Sequence, residues 1–313
     1  MTDNDGQWER GLIERLATAA LQEQRRARRW GIFFKLLTFA YVTFLIVMAM
    51  GWRDGDKASG KHTALVEVSG VIGPGSDASA ERVNAALQAA FKDANTQGVV
   101  VRINSPGGSP VQSNAIYDEM RRLRKVHPNV PLYAVVEDLC ASGGYYVAAG
   151  ADRIYVGRAS IVGSIGVRMD SFGVTGLMEK LGIERRLLTA GDNKGFLDPF
   201  LPVDEEQKRH AQALLAEVHQ QFIGVVREGR GKRLKETPGM YSGLVWTGQQ
   251  SIELGLADAY GSLDSVARDV LKAERVVDFT EKENIAERFA RRLGAGAANA
   301  VLAFALRFSP QPR

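Results

Sequence analysis

One cysteine and four histidines occur among 313 residues. Cys140 alone forms no internal disulfide, and Cys and His nowhere cluster at zinc-ligand spacing, so the fold must rest on packing. H-E-x-x-H is absent, and His62, His127, His210 and His219 fall in linker, loop or long-helix positions, which argues against a histidine base. G-x-S-x-G is missing as well, because Cys140 takes the first glycine position before Ser142. Gly55-x4-Gly60-Lys61 is followed by His62 where a phosphate loop needs Ser or Thr. Gly73-Pro-Gly75-x-x-Ala78 superficially matches a dinucleotide turn, but Pro74 is foreign to it. Neither a metal nor a nucleotide is implied, and there is no internal repeat.

The body of the chain also lacks an excess of either charge. Residues 1–35 carry seven Lys/Arg against five Asp/Glu, residues 285–313 five against one, and the stretch between them 28 against 30. The ends are basic and the body is not, so no nucleic-acid face is indicated. With 45% apolar and 24% charged residues the composition is globular.

What the sequence does have is an apolar run from Leu36 to Met50, broken only by Thr38 and Thr43 and bracketed by Trp30 and Trp52. That is membrane-spanning length. Arg25, Arg26, Arg28, Arg29 and Lys35 precede it, whereas the basic residues after it are mixed with Asp54 and Asp56, so the N-terminus is expected in the cytoplasm. A leader of about 30 residues is too long for a cleaved signal peptide. The expected organisation is a cytoplasmic segment over 1–29, a transmembrane helix over 30–52, a linker over 53–62, a folded domain over 63–275 and a basic amphipathic tail over 276–313.

Within the domain, strand-like and helix-like patterns alternate, which predicts an α/β fold with crossover connections. Strands are expected over 64–72, 99–103, 131–136, 154–156, 161–167 and 183–189. Helices are expected over 78–93, 111–125, 176–181, 203–228 and 262–274, and 138–150 reads as a loop turning into a short helix of small residues.

Two glycine-bearing turns stand at the ends of buried strands, Ser105-Pro-Gly-Gly108 and Ser142-Gly-Gly144. Open α/β sheets place their ligands there. Glycines let the backbone approach a substrate, and N–H groups aimed at a developing oxyanion stabilise it by a few kcal/mol. The same residues also spell a serine that merely caps a helix and glycines that merely turn the chain.

Ser105-Pro-Gly-Gly108, Ala141-Ser-Gly-Gly-Tyr-Tyr146, Gly163-Ser-Ile-Gly166 and Gly191-Asp-Asn-Lys194, in this spacing behind one apolar span, resemble the signal peptide peptidase SppA family. The similarity runs from about Ala64 to Asp269, and the Gly-Asp-Asn-Lys stretch is its looser part. The resemblance implies a ClpP/crotonase-like fold, with Ser142 as nucleophile, Lys194 as general base, Gly108 and the Gly143 N–H as oxyanion hole, and Ser164 as the hydroxyl that orients the lysine. It also implies a homo-oligomeric ring, in which serine and lysine of single-domain members can come from neighbouring subunits. This chain has one copy of the motifs. The implied activity is that of a membrane-anchored serine endopeptidase, without cofactor, degrading cleaved signal peptides and other hydrophobic unstructured peptides outside a bacterial cytoplasmic membrane.

A free lysine ionises near 10.4, so a lysine base at neutral pH needs roughly 4 kcal/mol of bias against its charge. Phe196, Leu197 and Phe200 are candidate apolar walls, while Asp192 and Asp198 would act in the opposite direction. Lys180 shares a helix with Glu179 and reads as a surface residue. Cys140 reads as a small buried residue, and Tyr145 and Tyr146 suit either a pocket or helix packing. Two other functions fit parts of the pattern: a crotonase-like acyl-CoA enzyme with Glu137 or Asp138 as acid/base, and a non-catalytic membrane scaffold.

Overall fold

The computed structural model describes residues 23–26, 28–45 and 60–281, in two units that divide at Ser59. In the first unit, residues 28–45 are helical and their apolar side chains are exposed. Thr38 and Thr43 donate their hydroxyls to Phe34 O and Phe39 O, each at 2.8 Å, which gives each hydroxyl proton an acceptor on its own helix. Among the described residues no helix is long and apolar enough to cross a membrane. The end of the expected span, most of the linker and the tail from 282 onward lie outside the described residues.

The second unit is built on one mixed eight-stranded sheet. β1 (His62–Ser69), β2 (Thr96–Ser105) and β3 (Leu132–Ala141) are its parallel centre. These strands read as near-continuous apolar runs because both of their faces are covered. Along β2, Val99, Val101 and Ile103 enter the main core while Val100 faces a smaller cluster with Val135, Tyr155 and Val266, the two-residue alternation of a pleated strand. α1 (Ala80–Lys92) and α2 (Pro110–Val126) connect these strands and bury Val83, Leu87 and Phe91, and Ile116, Met120 and Leu123. Each such side chain contributes about 1.5–3 kcal/mol by leaving water. Their apolar residues recur at helical spacing, as the sequence predicts.

β3 forks the sheet. Its first half, Tyr133 to Val135, pairs with β4 (Arg153–Val156), and its end, Leu139 to Ala141, pairs with β5 (Ile161–Gly163). β6 (Val245–Thr247) runs antiparallel to β5, β7 (Ala259–Tyr260) pairs with β4, and β8 (Val276–Asp278) pairs with β1. The sheet thus extends past residue 275.

The structure corrects three local expectations. Residues 138–141, read as loop, are strand, because β5 supplies ladder partners that polar Glu137 and Asp138 conceal in the sequence. The strand expected over 161–167 stops at Gly163, where Gly163 (φ 110°) and Ser164 (φ 52°) turn the backbone and the Ser164 N–H goes to Leu244 O at 2.8 Å. Residues 183–189 form no strand, since no neighbouring strand lies beside them; Leu188 is 96% exposed.

After the short helix α3 (Gly143–Ala148) come α4 (Thr175–Leu181), which buries no residue, and the long α5 (Glu205–Arg230). The Asp204 side chain caps α5 by accepting from the Glu206 and Gln207 N–H groups. Its other end is held by fully buried Arg230, which donates to Gly255 O and to Asp258 at 2.8 and 2.9 Å. Burial pushes the Asp258 carboxyl up, but Arg230, the Ile154 N–H and Arg233 outweigh it and leave the group below the ordinary carboxylate range. Only the C-terminal half of α5 is well packed, through Phe222, Ile223 and Val226.

Candidate active site

β2 and β3 lie side by side and end together, with Ser105 paired to Cys140. Their two loops are therefore neighbours. The buried Ser105 hydroxyl organises the first: it donates to Gly70 O at 2.6 Å and accepts the Gly107 N–H at 3.1 Å. Beyond it the chain runs beside Ile72, which bonds Gly107 O through its N–H at 2.9 Å and takes the Ser109 N–H at 2.8 Å. Glycine is required here on two grounds. Gly107 has φ 95°, and a Cβ on it would stand 2.7 Å from Ser142 Cβ and 2.6 Å from the Gly143 nitrogen. Gly108 has φ 152°, and its Cβ would overlap the carbonyl oxygen of Ile72.

From the end of β3 the chain turns through Ser142 into the short helix α3 (Gly143–Ala148). Ser142 has φ 52° and ψ −122°, its N–H donates to Gly163 O at 2.8 Å, and its side chain makes no capping bond. A non-glycine residue in such a region costs about 1–3 kcal/mol. A strained strand-to-helix turn of this kind lifts a side chain clear of the sheet end, although the G-x-S-x-G pattern is absent. Gly143 follows at the first helical position, where its N–H has no intrahelical acceptor. A Cβ on Gly143 would lie 3.2 Å from the Gly108 nitrogen, so the two backbone segments are in contact. Among the described residues neither the Gly108 nor the Gly143 N–H donates a hydrogen bond. Two free amides beside one hydroxyl can receive a carbonyl oxygen as it gains negative charge.

Ser164 leaves β5 next to this turn, directly after the residue whose carbonyl holds the Ser142 N–H. The structure thus brings Ser142, Gly108, Gly143 and Ser164 to one end of the sheet. It does not bring Lys194 there. Lys194 is exposed in the turn-rich stretch 190–202, its N–H bonds Gly191 O at 3.1 Å, and among the described residues its amine has no hydroxyl or carboxylate partner. Asp198 is engaged elsewhere: the Phe200 N–H and then Arg185, at 3.0 Å, hold its carboxyl below the usual range. Phe196 packs edge-on against His210 and Phe200 lies under Arg185, so these aromatics serve α5 and its loop.

A cavity of about 310 Å³ opens beside Ser142, walled mainly by Val111, Tyr146, Val167, Val218 and Phe222, with Ser113, Asn114, Arg168 and Gln221 as its polar part. The Tyr146 ring lies 5.1 Å from that of Phe222, and its hydroxyl donates to Asn114 Oδ1 at 2.7 Å. Burial, followed by Asp118, pushes the Tyr146 phenol up. Sequence reading misses Val167, Val218 and Phe222; the only signal was the apolar spacing of α5, which says that a face is covered without saying by what. Cys140 is fully buried and burial pushes its thiol up, as fits an inert small residue. Glu137 pairs with Arg102 at 3.4 Å and, with Asp138, faces a separate cavity at the fork.

The peptidase family S49 profile matches residues 124–277, and the Clp protease profile matches residues 66–162. A putative signal peptide peptidase SppA of Enterococcus faecium is 30% identical over 231 residues, covering 71% of this chain and 67% of that one. A putative protease of Methanocaldococcus jannaschii is 31% identical over 262 residues, covering 80% and 82%. A protein of Brucella abortus named Na(+)/H(+) antiporter NhaA is 46% identical over 182 residues, 58% of this chain. The match spans only 25% of that antiporter's length.

Proposed function

Because the chain belongs to the SppA family of serine peptidases, peptidase family S49, with a ClpP-like α/β domain, we propose that it is a serine endopeptidase with Ser142 as nucleophile and Lys194 as general base. The observation that carries this reading is the strained Ser142 turn facing two unpartnered glycine amides at the mouth of an apolar cavity. Ser142 Oγ attacks the scissile carbonyl carbon while the lysine amine takes its proton. The carbonyl oxygen, now negative, receives the N–H groups of Gly108 and Gly143. The intermediate collapses, the C–N bond breaks, and the departing amine leaves with the proton. Water then attacks the acyl-serine ester and restores the hydroxyl. Ser164 orients the lysine.

We further propose that the lysine reaches the serine of a neighbouring copy within a homo-oligomeric ring. Around the Lys194 stretch, Phe172 (83% exposed), Leu181, Leu188 and Val203 present apolar surface that a second copy would cover. Covering it would also withdraw the amine from bulk water. Residues 30–52 anchor the assembly in the bacterial cytoplasmic membrane, with the N-terminus cytoplasmic and the catalytic domain outside. Hydrophobic, unstructured peptides such as cleaved signal peptides fit an apolar cavity at an open sheet end.

Two measurements test this. A serine-directed fluorophosphonate is expected to label the full-length protein at Ser142 alone, located by mass spectrometry of the modified peptide; labelling elsewhere, or none in active protein, contradicts the assignment. Gly108→Ala is expected to lower kcat about 10²–10³-fold, because the new methyl forces the loop off Ile72 and carries one oxyanion donor away. Peptide-ester hydrolysis reads the effect, and a native rate would remove Gly108 from the machinery.

A further inference from the structure

We infer that Ser113 is a positioning residue that sets the separation of the Gly108 and Gly143 amides, an inference that rests on the peptidase reading. Ser113 lies in the first turn of α2, is fully buried, and forms part of the wall of the Ser142 cavity. Its Oγ donates to Ser109 O at 3.0 Å, beside the bond its own N–H makes to the same oxygen at 3.0 Å. Ser109 directly follows Gly108 and is pinned on its other side, N–H to Ile72 O at 2.8 Å. The hydroxyl therefore clamps the exit of the first glycine turn. On its opposite side the same oxygen bears on Gly143, where a Cβ would overlap it, and Gly143 in turn abuts the Gly108 nitrogen. One oxygen atom spaces the two backbone segments that carry the two donors.

Packing alone does not ask for a serine at this point. In a buried helical turn alanine has the better propensity, and a serine that bonds back to the residue four before it is neutral or slightly unfavourable. The hydroxyl's effect is geometric. Oxyanion donors act only within about 2.7–3.1 Å of the charged oxygen. Removing the spacer lets Gly143 and Ser109 relax toward each other and misaims the donors, without altering the apolar wall that binds substrate.

The test uses the full-length protein in detergent, with an apolar peptide ester as substrate. Ser113→Ala is expected to lower kcat about 10-fold with KM within twofold, less than the loss of a whole donor. A peptide aldehyde, whose hemiacetal oxygen sits where the oxyanion forms, is expected to bind about 10-fold more weakly, whereas the cleaved product peptide keeps its Kd. Ser113→Thr, which retains a hydroxyl able to reach the same carbonyl, is expected to recover most of the aldehyde affinity. Unchanged kcat and aldehyde affinity in Ser113→Ala, or equal weakening of aldehyde and product, overturns the inference. Ser142→Ala serves as the companion: if it hydrolyses the ester at the native rate, the peptidase reading itself fails and this inference with it. If it is inert while Ser113→Ala is unimpaired, the spacing role alone is wrong.

Discussion

Ser142→Ala is expected to reduce kcat by about 10⁶ while KM moves little, because a nucleophile and its base act as a unit and the loss of either forfeits most of the chemistry. The substitution is unusually clean on structural grounds. The Ser142 side chain caps no helix, and its backbone bonds to Gly163 and Tyr146 do not involve the hydroxyl. Alanine keeps the Cβ that sits against Gly107, so the turn retains its shape. The thermal midpoint of the variant should therefore match that of the wild type while hydrolysis of an apolar peptide ester disappears. A variant that cleaves at the native rate would mean that some other group attacks the carbonyl.

Lys194→Ala should cost at least about 10⁴ in kcat, and the more decisive experiment mixes it with Ser142→Ala. Each variant alone is inert. If the base crosses from one copy to the next, co-assembled oligomers regain about a quarter of wild-type activity, the fraction of neighbouring pairs that unite an intact serine with an intact lysine. A dyad closed within one chain gives no recovery at any mixing ratio. Recovery is expected, since within one copy the lysine is solvent-exposed and is not part of the wall of the serine's cavity.

How much of this was legible beforehand depended on how local the signal was. β1, α1, β2 and α2 read correctly in kind because buried parallel strands and covered helices write their periodicity over eight or more residues. β6, β7 and β8 are two or three residues long, too short for any period, and exist only because β5, β4 and β1 offer an edge. Residues 183–189 illustrate the reverse: Ile183, Leu187 and Leu188 have strand composition, but composition makes no strand without a partner. At the candidate site, the sequence placed the Ser105–Gly108 and Ser142–Gly144 turns at the ends of buried strands, which lie side by side in the structure, whereas the roles proposed for Ser142, Gly143 and Gly108 rest on the family resemblance. The cavity wall was not, since Val218 and Phe222 arrive from α5 more than seventy residues later in the chain.

Ser142 and Ser164 both hold φ 52°, a backbone state that glycine occupies freely and serine does not. Together they forgo about 2–6 kcal/mol, a large share of the roughly 5–15 kcal/mol by which a native domain outlasts its unfolded chain. Under the proposed mechanism, heat tolerance and turnover therefore compete at the same two residues. A lineage driven to hotter habitats would have to seek its gains away from these turns, in the layer around α1, because relaxing either backbone would dismantle the shape on which the proposed chemistry rests.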